Sequence, residues 1–136
     1  MKLSKENKGY LINEINFSAK EMRKAESMID KLYYFSVVFG AANRIMNMDF
    51  DPELLFVHNV TNAAFNQIQG VLMTQGQMPS SIDSELFNKI ANNLDEMAGN
   101  IANNEPTYKV LEKISNLAYS TTGNGHYLVL RGKFTV

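Results

Sequence analysis

The chain contains no cysteine, and that absence removes disulfides, thiolate metal sites and cysteine nucleophiles together. A disulfide-stapled secreted scaffold is excluded with them. Histidine is limited to His58 and His126. A zinc site built on these two without cysteine would need carboxylates that their spacing does not supply. No glutamate precedes a histidine at the Glu-x-x-His spacing of helical di-iron proteins, so no metal and no cofactor is expected. Neither sign of charge dominates: 13 Lys and Arg face 14 Asp and Glu, for a net charge of −1. No excess of positive charge draws the chain to nucleic acid or to anionic lipid. Long apolar runs are also missing. The most apolar stretch, Leu32 to Ala42, is about 11 residues, whereas a bilayer crossing takes about 20, so it reads as a buried helix segment. The basic start Met1-Lys2-Leu3-Ser4-Lys5 is followed by no signal-peptide-like apolar stretch, and a cytoplasmic, non-membrane protein is expected.

What is present is the composition of a globular domain, 45% hydrophobic and 20% charged in 136 residues. A chain of this length buries about two thirds of its unfolded surface, enough for one core. Proline is absent from about Glu6 to Met48, and Leu11, Ile15, Ala19, Met22, Ala25, Ile29, Leu32, Ser36 and Phe39 recur at steps of three or four. That is one face of a helix. From Leu32 the opposite face turns apolar through Tyr33, Tyr34, Val37 and Val38, the pattern of a helix surrounded by neighbours. Asp49-Phe50-Asp51-Pro52-Glu53 then offers a capping aspartate, a proline for the first helical position and a carboxylate for the positive end of the helix dipole. The second stripe runs Leu54, His58, Thr61, Phe65, Ile68 and Leu72 until Gly76 and Pro79. Ser80 and Asp83 precede the third, Leu86, Ile90, Leu94, Met97 and Ile101. Asn103-Asn104-Glu105-Pro106 separates it from the fourth, Val110, Leu111, Ile114, Leu117 and Ala118.

The expected fold is a single all-α domain, 1–136: an antiparallel up-down four-helix bundle with helices at about 6–48, 52–76, 81–103 and 105–120. Its first helix would be roughly 60 Å long at 1.5 Å per residue. Residues 126–136, with Leu128 and Leu130, are rich in β-formers and read as a short C-terminal strand or hairpin that needs a partner. The overlong helix and the partnerless strand together suggest a homodimer, with an interface at Tyr33, Tyr34, Phe35, Leu128 and Leu130.

Two constellations bear on chemistry. His58 lies between Glu53 and Asn62 on one helix, so an acid, a base and an amide fall toward one side. The loop Thr121-Thr122-Gly123-Asn124-Gly125-His126 has backbone groups able to cradle an anion. It matches neither phosphate-loop pattern, and glycines that end a helix explain it equally well. Together His58, Asn62, Thr122, Gly123, Asn124, Gly125 and His126 form the alternative reading, a small anionic ligand or nucleotide site. Arg44 beside Asp49 and Asp51 reads as a surface ion pair. No Gly-x-Ser-x-Gly elbow is present. In size and helix count the chain is similar to HEPN bundles of toxin and antitoxin systems. Their catalytic Arg-x-x-x-x-His is absent: Met28, Asp49 and Val136 stand five residues after Arg23, Arg44 and Arg131. The leading expectation is a non-catalytic bundle that acts through self-association or partner binding.

Overall fold

The computed structural model describes residues 1–74 and 82–121. It contains α1 (Lys5–Lys24), α2 (Met28–Met46), α3 (Pro52–Thr74), α4 (Ser84–Ala102) and α5 (Tyr108–Thr121). The expected strand, 126–136, lies outside the described residues.

The anticipated long first helix is two helices, which makes the bundle five-membered among the described residues. The break is local chemistry. Ala25 is extended, with ψ 139°, and Ser27 caps α2 by accepting the N–H of Asp30 at 3.1 Å. A serine three residues before an acidic residue is a helix-start signal, but the apolar repeat runs through it without losing step. Lys31, buried, closes the corner by donating from Nζ to the Met22 carbonyl at 2.7 Å, one of the last acceptors of α1. The chain therefore folds back on itself. Ser18 Oγ donates to Tyr34 O at 2.7 Å and Arg44 Nε to Tyr10 Oη at 2.9 Å, the pairing of an antiparallel hairpin.

In the described residues α1 packs on α2 and α4, α2 also on α3, and α5 joins α3 to α4. The result is a closed ring in the order 1-2-3-5-4. Sequential helices are not all neighbours, as the up-down expectation had them: α5 stands between α3 and α4. A ring that alternates direction needs an even number of helices, so five leave one parallel pair. That pair is α3 and α5, whose first turns lie together, with Thr107 bonded to Glu53 and Phe56 against Tyr108.

The core is continuous through all five helices. Leu11, Ile15 and Met22 meet Phe35, Ile45, Leu54, Ile68, Leu111 and Ile114, all fully buried. On α4 the expected stripe of Leu86, Ile90, Leu94, Met97 and Ile101 is buried throughout. On α3 the expected stripe is half right. Leu54, Thr61 and Ile68 are buried, but they are flanked by Val57 and Ala64, while His58, Phe65 and Leu72 sit at its edge. Asp83 caps α4 through the Leu86 N–H at 3.0 Å.

At the other end of α4, Asn104 adopts φ 57°. The N–H groups of Asn104 and Glu105 then reach the carbonyls of Ile101 and Asn100. Asparagine is the non-glycine residue best suited to this left-handed position. Asn104→Ala is expected to lower stability by about 1 kcal/mol and Asn104→Gly to leave it within about 0.5 kcal/mol, as read by urea melts.

Candidate interaction surface

The α1–α2 hairpin carries apolar side chains on its outer side. Phe17 lies two residues from the buried Ile15 and Ala19, which turns it away from the core. Tyr33 stands likewise to Phe35. Tyr33 is 66% exposed, Ile29 48% and Phe17 46%, while Phe35 is 0% exposed. The half-buried Tyr34 joins them, edge-on to Phe17 at 6.1 Å and to Tyr33 at 5.6 Å between ring centroids. Tyr10 prolongs the face. Arg44 donates to its hydroxyl, lies 5.9 Å from its ring centroid and approaches Glu14 at 3.9 Å. The face is thus a band of aromatic and aliphatic side chains with the Arg44–Glu14 pair at its margin.

Of the expected interface residues, Tyr33 and Tyr34 reach this surface. Phe35 does not: it is a core residue, because two positions along a helix turn the side chain by about 200°. Phe17 and Ile29 were missed as surface residues. Phe17 carried a signal, a large apolar side chain off its own stripe. The sequence pattern places Ile29 on the buried stripe of an unbroken helix, and the break at Ala25 to Ser27 changes its phase. Leu128 and Leu130 lie outside the described residues.

Of the second expected site, only His58 and Asn62 fall among the described residues. His58 is half-buried, its Nδ1 3.1 Å from Asn59 Oδ1 and its ring edge-on to Phe39 at 6.2 Å. Asn62 Oδ1 accepts a hydrogen bond from Asn66 Nδ2 at 2.8 Å. Glu53, the acid of that constellation, is engaged elsewhere. Thr122, Gly123, Asn124, Gly125 and His126 lie outside the described residues. Among the described residues no three histidine, aspartate or glutamate side chains gather as a metal-binding set.

Glu53 instead anchors a polar junction where the N-termini of α1, α3 and α5 meet. Its Oε1 lies 3.1 Å from the Met1 ammonium, and its Oε2 accepts from the Thr107 N–H at 2.8 Å and hydroxyl at 2.7 Å. Asp51 Oδ1 caps α3 through the N–H groups of Glu53 and Leu54, and Oδ2 accepts the Lys2 N–H at 2.9 Å. Asp49 Oδ2 accepts from the Ser4 N–H at 2.8 Å and Asn7 Nδ2 at 3.0 Å. The two aspartates are thus held by the N-terminal segment, whereas Arg44 turns to Tyr10 and Glu14.

All three carboxyls are held below their ordinary values. For Asp49 the main cause is the Ser4 N–H. For Asp51 and Glu53 burial pushes the other way and is outweighed, by the N–H groups of Lys2, Leu54 and Glu53 at Asp51 and by Thr107 and the Met1 ammonium at Glu53. Negative charge here also meets the positive ends of three helix dipoles. Each of the three carboxylates is held by internal donors, so the chemistry of the junction is that of a structural clasp.

Comparison with protein-family models, curated proteins and solved structures finds no match. Among the described residues no helix is long and apolar enough to cross a membrane.

Proposed function

We propose that the chain works by self-association, as a non-catalytic cytoplasmic homodimer whose contact is the outer face of α1 and α2. The observation that carries this reading is the exposure of Tyr33, Phe17 and Ile29 side by side on one hairpin. Contiguous apolar surface rimmed by polar groups is characteristic of association sites, and aromatic residues are enriched at their centres. A second copy fits this face by symmetry. In a two-fold contact the same patch meets itself, so rings pack on rings and Arg44 of one copy can approach Glu14 of the other. The hairpin form of the first segment removes the overlong helix as an argument for a dimer, and the reading rests on the aromatic face alone.

Substituting Tyr33→Lys places a charge at the centre of the contact. Sedimentation is expected to show the dimer weakened about 100-fold, since an unpaired charge buried in an interface costs several kcal/mol. The helical circular dichroism should not change, because the Tyr33 ring is mostly exposed and lies outside the buried core. An unaltered mass would remove this face from consideration.

A further inference from the structure

Away from the hairpin, the parallel pair α3 and α5 leaves a cavity of about 380 Å³ between its helices. Its size lies within the range of small-molecule sites. The walls are of two kinds. Phe56 and Tyr108, 44% and 50% exposed, meet edge-to-face at 5.3 Å at one end, and Val60 and Leu111 complete the apolar lining. On the α5 side Glu112 and Ser115 supply polar groups. Of the residues that line the cavity, Glu112 alone carries charge. Of the two lysines of α5, Lys113 is drawn to Glu96 of α4 at 3.2 Å, and neither Lys109 nor Lys113 lines the cavity.

We infer that this cavity binds a small organic cation with an aromatic or alkyl body. The body displaces water from Val60 and from the exposed rings of Phe56 and Tyr108 and lies over the buried Leu111. The ammonium group sits against the aromatic pair Phe56 and Tyr108, on the wall that also carries Glu112, with Ser115 available as a hydrogen-bond acceptor. Aromatic faces attract cations and repel anions, and a carboxylate at the same wall adds to that preference. The site therefore selects by charge as well as by shape. It shares no residue with the α1–α2 face and stands whether or not the chain dimerises.

The test is a titration of the isotope-labelled full chain, followed by amide NMR, with three probes of similar shape: phenethylammonium, phenethyl alcohol and phenylacetate. Phenethylammonium is expected to shift the amides of Val60 and of Tyr108 to Ser115 in a saturable way, with a dissociation constant of about 1 mM for a probe this small. The alcohol should bind more weakly and phenylacetate not at all. Glu112→Gln, a change at an exposed position, is expected to weaken the cation about fivefold and leave the alcohol unchanged. Equal binding of the three probes, shifts confined to other helices, or no saturable shift would overturn the proposal.

Discussion

Replacing Glu53 by alanine is expected to lower the stability of the folded chain by roughly 3 kcal/mol, a fall in melting temperature of roughly 10 °C. The loss has three parts. The Thr107 N–H and hydroxyl, both buried, lose their acceptor, and the Met1 ammonium loses its counter-charge. Glu53→Gln keeps an oxygen for Thr107 and is expected to cost about half as much. The same junction sets the acid limit. Asp49 and Asp51 are lowered from 3.8 and Glu53 from 4.5, so each binds protons more readily in the unfolded chain. Their contribution is complete above those values and is lost as pH falls below about 4.5 through the lower folded values. Denaturation followed from pH 7 to pH 2 should show stability level at first and then declining over that range. In Glu53→Ala the decline should be shallower, because one of the three groups no longer takes part. An identical slope in both proteins would contradict this assignment.

The aromatic cluster of α2 gives the second large effect, and it divides within three consecutive residues. Phe35→Ala is expected to cost about 3–5 kcal/mol, since it empties a fully enclosed phenyl site in the centre of the ring of helices. Tyr33→Ala, measured at a dilution where the chain is monomeric, should stay within about 0.5 kcal/mol of the parent. At higher concentration the order of effects on mass reverses: Tyr33→Ala loosens the dimer, while whatever Phe35→Ala retains of the fold keeps the outer face. Comparable losses of monomer stability at both positions would mean that Tyr33 is structural.

Helical class could be read from the sequence, with α3, α4 and α5 as separate helices and α1 and α2 as one, because the signals were local. Leu86 to Ile101 repeats strictly on one face, and Pro52 and Asp83 mark helix starts. The fifth element was hidden because Met22, Ala25, Ile29 and Leu32 keep the helical step across the corner, so periodicity could not report a reversal that only Ser27 and Asp30 encode. Neighbour order was illegible for a different reason: which helix stands beside which depends on closing a common core, and nothing local to α3 or α4 says that α5 will part them. Tyr33 and Tyr34 were found as candidates from aromatic density, but density alone could not separate them from Phe35, whose inward direction follows once the helix phase is set. The cavity between α3 and α5 required the parallel pairing and was out of reach of any linear pattern.

The most direct test of the central claim is the mass of the unmodified full chain by sedimentation equilibrium over a range of concentrations. Self-association through the α1–α2 face requires a mass approaching twice 15.3 kDa as concentration rises. A mass of 15.3 kDa at every concentration would contradict it.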